Sequence, residues 1–265
     1  MGSQGVQTLT PEEMERYDRQ IRIFGVEGQL RLKRAKVLIV GIGGLGSPAA
    51  IYLAAAGVGE IILVDPERVE LSNLNRQILH WTRDVGRLKV ESAAEKLREL
   101  NPNVRLRIIA ERADEELLDK LVPEVDIVID GLDDWNSRLQ LNKVCVKHGK
   151  PLIHAAIHGM YGQLLVVVPG KTPCLNCIII REPPETRPFP VLGVTPGILS
   201  MLQVTETLKL LTGYGKPSLG KLIIYDGYTL KLEEIPVSRN PHCPTCSIIR
   251  QGGQHSEYAV KSQQF

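Results

Sequence analysis

The stretch that most constrains this chain is "KVLIVGIGGLGSPAA", residues 36–50. An apolar strand runs into a glycine-rich turn and then into a helix of small residues, which aims backbone amides and a helix N-terminus at a phosphate. Gly41, Gly43 and Gly46 satisfy the dinucleotide spacing, and Asp65 closes the next apolar run, "EIILVD", where a ribose-binding acid is expected. Taken alone, the pattern reads as a nicotinamide enzyme.

The surrounding chain places that motif. Continuous apolar strands at 36–41, 60–65, 104–110, 126–131 and 151–157 suit a parallel sheet covered on both faces. Val90, Ala93, Ala94, Leu97 and Leu100 recur at helical spacing between strands, as do Leu141, Val144, Cys145 and His148. This βαβ repetition predicts an α/β fold with a doubly wound, Rossmann-like, mainly parallel sheet. Further on, "GQLLVVVPG" and "KLIIYDGYTLKLEEIPV" predict antiparallel strands added at the C-terminal side. Thr10, Pro11 and Glu13 form a capping box that starts an N-terminal helical arm, residues 10–30, carrying "RYDRQIRIFG". The prolines of "REPPETRPFPVLGVTPG" predict a mobile loop before a helix from about 197 to 212. One domain is expected over 1–250, with a disordered tail at 251–265.

Composition adds limits. The 265 residues are 43% hydrophobic, enough for one large core, and the net charge of +2 gives no argument for nucleic acid. No apolar run is long enough to span a bilayer and no secretory signal opens the chain, so a soluble cytoplasmic protein without membrane contact is expected. Five cysteines then favour metal binding or chemistry over disulfides. Cys174 and Cys177 in "TPCLNC", with Cys243 and Cys246 in "NPHCPTC", match a tetrahedral structural zinc site that staples the tail to the sheet extension. A redox pair explains one such knuckle but not two.

The choice of nucleotide turns on cations. Arg76 in "ERVELSNLNRQIL" and Lys89 in "DVGRLKVESA" follow the second strand, and Asp133 and Asp134 follow the fourth at the carboxyl edge of the sheet. Two cations, a candidate Mg²⁺ ligand and a ribose acid describe a triphosphate site better than a dinucleotide site. Each has a plainer reading: Arg76 and Lys89 as solvated charges, Asp133 as the cap of a helix starting near Trp135. The glycine loop alone does not separate ATP from NAD.

Six blocks, "RYDRQIRIFG", "GIGGLGSP", "LVDPERVELSNLNRQ", "VGRLKVESA", "DGLDDWNSR" and "LLTGYGKP", resemble the ThiF/MoeB/HesA adenylyltransferases, prokaryotic relatives of ubiquitin-activating enzymes, in the pattern of the molybdopterin-synthase adenylyltransferase type. The resemblance implies ATP-dependent adenylation of the C-terminal glycine carboxylate of a small ubiquitin-like sulfur carrier protein ending in Gly-Gly. It also implies roles. Gly41, Gly43 and Gly44 approach the α-phosphate, Asp65 holds the ribose, Arg76 and Lys89 hold phosphates, and Asp133 binds Mg²⁺. Arg19 reaches the partner's triphosphate across a homodimer, and Asn73 and Asn142 are weaker polar candidates. Since a carboxylate nucleophile needs no base, His80, His154 and His158 are expected to be structural. Some members carry a nucleophilic cysteine in the loop, where this chain has about Thr186, with Cys145 the one cysteine outside the knuckles. An external sulfur donor is therefore expected. A NAD-dependent reductase and a non-catalytic scaffold subunit remain the rivals; the first gives Arg76, Lys89 and Asp133 no task, and the second does not need them.

Overall fold

The computed structural model describes residues 8–179 and 190–251, so the expected tail beyond 251, the loop segment 180–189 and Thr186 lie outside the described residues. In chain order the elements are α1 (Pro11–Arg16), α2 (Asp18–Arg34), β1 (Lys36–Val40), α3 (Gly46–Ala56), β2 (Glu60–Val64), α4 (Lys89–Leu100), β3 (Arg105–Ile109), α5 (Glu115–Leu121) and β4 (Ile127–Asp130). Then come α6 (Trp135–Lys147), β5 (Leu152–His158), β6 (Tyr161–Val167), α7 (Leu175–Ile178), α8 (Val194–Thr212), β7 (Lys221–Asp226), β8 (Lys231–Pro236) and α9 (Pro244–Gln251).

The strands form one eight-stranded sheet in the order β3-β2-β1-β4-β5-β6-β7-β8. The pairings from β3 through β5 are parallel and those from β5 through β8 antiparallel. Alternate strand residues bury against opposite helical layers. Val37, Ile39, Ile61, Leu63 and Ile129 face α3, α4 and α8, whereas Leu38, Val40, Ile62, Val64 and Val128 face α5 and α6. Both faces are covered as the apolar runs require. The order reverses between β1 and β4, which opens a crevice at their carboxyl ends.

Glycines close that crevice from below. Gly41 has φ +90°, and a Cβ there would lie 2.6 Å from the Gly131 carbonyl oxygen. One on Gly46 would lie 1.9 Å from the Gly41 oxygen. The loop, the start of α3 and the turn after β4 touch through bare backbone, which excludes any side chain at these positions.

Five expectations change. The arm is not one helix: Tyr17 separates α1 from α2, and Gly25, at φ +75°, kinks α2. The Thr10–Glu13 capping box is formed, and the arm docks where the Tyr17 hydroxyl accepts from Asn101 Nδ2 at 2.8 Å. α8 starts at Val194, three residues early, because Pro196 falls in its first turn, where a missing N–H leaves no helical bond unmade. β3 is an edge strand with partly exposed residues, and Leu100 is 40% exposed at the end of α4. His148 caps α6 and meets Asp119 at 2.8 Å instead of joining the core with Cys145.

Candidate active site and metal centre

A cleft of about 1270 Å³ lies over the carboxyl edge of the parallel strands and extends across β5 to β7. Its wall brings together Gly41, Gly43, Gly44, Asp65, Asn73, Arg76, Lys89 and Asp133, which are scattered along the sequence between positions 41 and 133. Arg19 is exposed on α2 and is not part of this wall.

The glycine loop is held by its second residue. Ile42 N–H donates to Asp65 Oδ2 at 2.7 Å, and the Ile42 carbonyl accepts from Ser47 Oγ at 3.1 Å and from His80 Nε2 at 3.0 Å. Asp65 also accepts from Glu67 N at 2.8 Å. Two of the roughly four acceptor positions of a carboxylate are thus used, and two remain for hydroxyls. Burial raises the Asp65 carboxyl above its ordinary value against the pull of Lys89. A Cβ on Gly43 would come no nearer than 3.6 Å to the protein, so the space this glycine keeps open lies toward the cleft.

Behind the loop is a buried polar chain. His80 Nδ1 lies 3.0 Å from Ser92 Oγ, which accepts from Lys96 Nζ at 3.0 Å, and Lys96 meets Asp84 at 2.6 Å. Burial, with Lys89 and Lys96 nearby and Asp84 opposing them, pushes His80 down to about 4. The imidazole is therefore neutral, with Nε2–H donating to the Ile42 carbonyl and Nδ1 accepting from Ser92. His80 is structural, as expected, but it supports the loop itself.

Lys89 is buried at the start of α4, which excludes a solvated surface charge, and its ammonium meets Glu67 at 2.6 Å. Arg76 is half-buried, donating to the Ser72 carbonyl at 2.9 Å and to Asn75 Oδ1 at 3.0 Å. Asn73 Oδ1 accepts from Glu70 N at 3.0 Å and shapes this turn. The cap of α6 is Asp134, accepting from Ser137 N at 2.8 Å, so capping does not account for Asp133. Asp133 puts a carboxylate on the cleft wall, a donor that suits a hard cation such as Mg²⁺.

Other residues depart from their expected places. Asn142 is not in the cleft: its Oδ1 accepts from Leu175 N at 3.1 Å and its Nδ2 donates to Asn176 at 2.9 Å, beside Cys174. His158 is exposed on the cleft wall and not in the core. Arg112 and Arg138 also reach the wall, unforeseen; the signal for Arg138 was its place four residues after the Asp134 cap, one helical turn on, where it donates to the Leu132 carbonyl at 2.6 Å.

The four knuckle cysteines meet on the α6 side of the sheet with all sulfurs within 4.8 Å. The Sγ pairs 174–177, 174–243, 177–246 and 174–246 are 3.9, 3.6, 3.5 and 3.4 Å apart. A tetrahedron with Zn–S of ~2.3 Å has edges of ~3.8 Å, so the donor set fits zinc. Burial pushes the Cys174 and Cys246 thiols up, so a shared cation is what would favour their thiolates. Cys145 lies fully buried on the core-facing side of α6, its thiol pushed up by burial.

A doubly wound sheet whose switch point carries a glycine loop, an acid and buried cations defines a nucleotide-binding α/β protein. Residues 17–245 match the ThiF family, and the chain belongs to it. It is 41% identical over 256 residues to the SAMP-activating enzyme E1 of Haloferax volcanii, covering 94% of this chain and 93% of that protein. It is likewise 41% identical to the Escherichia coli molybdopterin-synthase adenylyltransferase, covering 90% and 98%, and to the Thermus thermophilus sulfur carrier protein adenylyltransferase, covering 89% and 92%. Among solved structures, E. coli MccB with ATP superimposes with TM-score 0.76 at 30% identity over 87% of this chain and 74% of that chain.

Two outcomes follow from this geometry. Metal analysis of protein purified without chelator should give one zinc per chain, and Cys243→Ser should lose it and lower Tm by roughly 10 °C; metal-free protein would remove the assignment. For His80, a depressed pKa means that the unfolded state takes up a proton first. Stability is complete above pH 6.5 and falls as pH drops toward 4, by about 2.5 kcal/mol between pH 7.5 and 4.5. In urea titrations the wild-type curve should fall more steeply with acid than that of His80→Gln, and the difference isolates the imidazole from the cysteines.

Proposed function

We propose that the chain uses ATP to adenylate the C-terminal glycine carboxylate of a small ubiquitin-like sulfur carrier protein, releasing pyrophosphate. The observation that carries this reading is the convergence of Lys89, Arg76 and Asp133 with the glycine loop in one cleft. A diphosphate needs little beyond loop amides, whereas a triphosphate attacked by a second anion needs cations. The relatives named above are activating enzymes or adenylyltransferases for such carriers, which supports the same substrate class.

The residues fit the chemistry. The carboxylate is ionised at neutral pH and attacks the α-phosphorus without a general base. Lys89 exchanges Glu67 for a phosphate, and a buried ammonium stabilises the charge that builds up as pyrophosphate leaves. Mg²⁺ held by Asp133 would screen the phosphates from the incoming carboxylate. Asp65 holds the ribose with its two remaining acceptor positions. Arg19 completes the site of a second protomer in a twofold homodimer, since it is exposed away from the cleft of its own chain. Zinc has a structural role, the enzyme works in the cytoplasm, and sulfur comes from an external donor.

Carrier-dependent ATP/pyrophosphate exchange tests the reaction, using a panel of ubiquitin-like carriers ending in Gly-Gly. Asp133→Ala should lower exchange by about 10²–10³-fold, the scale for losing one electrostatic contact to the transition state. Full exchange in that variant, or NADH competing with ATP at micromolar concentration, would refute the assignment. Mixing inactive Arg19→Ala with inactive Asp133→Ala protein should restore some exchange once subunits have re-assorted; none after verified exchange contradicts action in trans.

A further inference from the structure

One polar group in the cleft is oriented by machinery that nothing above explains. Asp130, fully buried at the end of β4, accepts from Leu132 N at 3.0 Å through Oδ1 and lies 2.6 Å from His154 Nδ1 through Oδ2. His154 is also fully buried, and its Nε2 is 3.2 Å from Gln163 Nε2. The carboxylate only accepts, so Nδ1 carries the proton. Burial keeps the ring neutral, so Nε2 has a lone pair and accepts. The Gln163 amine must supply that proton, which turns Oε1 away from His154, and no described residue donates to it. Without the histidine the amide could flip and offer either atom.

Gln163 sits where a polypeptide would pass. Across the antiparallel ladder it lies between Ala156 of β5 and Ile224 of β7, and all three line the cleft. Small and apolar neighbours on either side of one acceptor suit an extended chain of small residues. β6 is two strands beyond β4 in the sheet, hence ~10 Å from the edge that carries Asp133. An extended peptide advances ~3.3–3.6 Å per residue, so one whose terminal carboxylate lies near that edge presents at Gln163 a backbone N–H about three residues from its end.

We infer that Gln163 accepts a hydrogen bond from a backbone N–H within the last few residues of the substrate protein's tail, and that the buried Asp130–His154 pair is a positioning device that holds the amide in the accepting orientation. Asp130 also tethers Leu132, next to Asp133, so the same carboxylate couples tail reading to the turn of the proposed metal ligand. The inference rests on the adenylation reading above.

The experiment uses full-length enzyme and a semisynthetic molybdopterin-synthase-type carrier ending in Gly-Gly, made with all amides or with an ester replacing one of its last three backbone amides. Carrier KM in the exchange assay and MgATP affinity are measured separately. With wild type, one ester should raise KM about tenfold, the size of one uncharged hydrogen bond, with a smaller change in kcat. With Gln163→Leu the all-amide carrier should show that raised KM, the ester should add nothing, and MgATP affinity should hold. His154→Phe, if folded, should bind MgATP yet lose the amide-to-ester discrimination. Discrimination retained in Gln163→Leu, or absent from wild type at every position, overturns the subsite while leaving adenylation standing. Discrimination retained in folded His154→Phe overturns the positioning role. An all-amide carrier that supports no exchange, like the rest of the panel, overturns both readings together.

Discussion

The peptide at Ile42 is the point on which the rest of the site depends. Its N–H is held by Asp65 from the end of β2, and its carbonyl by Ser47 from α3 and His80 from the segment before α4. Three connections that are distant in sequence therefore meet on one residue of the glycine loop. The neutral imidazole is in turn fixed through Ser92 and Lys96 to Asp84, which is held down to about 2 by Lys96 and the Trp81 backbone N–H despite its burial. Inside a protein such a chain is strong when every member is satisfied and costly when one is lost. The loop is rigid for this reason, and its open face toward the cleft is a consequence of what grips it from behind.

The sheet divides the labour that this rigidity permits. Its parallel half ends in loops that converge on the switch point, where an anion can be met by amides and buried cations. Its antiparallel half has no such convergence and instead extends the floor of the cleft across β5, β6 and β7. The sulfur cluster sits on the same side as α6, joining the α7 turn to α9 at the chain's far end. With a metal of the kind the donor set fits, the additions to the sheet would be tied to the nucleotide half at a place remote from the loop.

What could be read from the residues alone follows physical range. Buried parallel strands are continuous apolar runs, so β1, β2 and β4 were legible to within a residue, and the two C-x-x-C knuckles carried their own spacing. Features set by a neighbour were not. β3 reads as an interior strand until the order makes it an edge, and Asn142 reads as a site group until folding lays it beside Leu175. The break at Tyr17 is invisible in an otherwise helical segment because Tyr17 is held there by a contact with Asn101, 84 positions further along the chain. Helix caps lie between these cases. The plain reading of Asp133 was the cap of α6, and the fold assigns that cap to Asp134. His154 was expected to be structural and is fully buried, yet nothing in "PLIHAAI" announces Asp130 on one side and Gln163 on the other.

The placement of sulfur bears on how far the proposed reaction proceeds within this chain. All five cysteines are among the described residues. Four lie in one cluster on the face away from the glycine loop, with two of their thiols pushed up by burial. The fifth, Cys145, is fully buried on the core-facing side of α6, and its burial pushes the thiol away from the thiolate that attack would require. Neither set lines the cleft. An acyl-adenylate formed beside Lys89 would therefore find no nucleophilic sulfur from its own protomer within reach. On the proposed reading, the cleft holds the activated carboxyl shielded beside the loop until a thiol or persulfide from another molecule arrives, and the division between activation and sulfur transfer follows from where five side chains are buried.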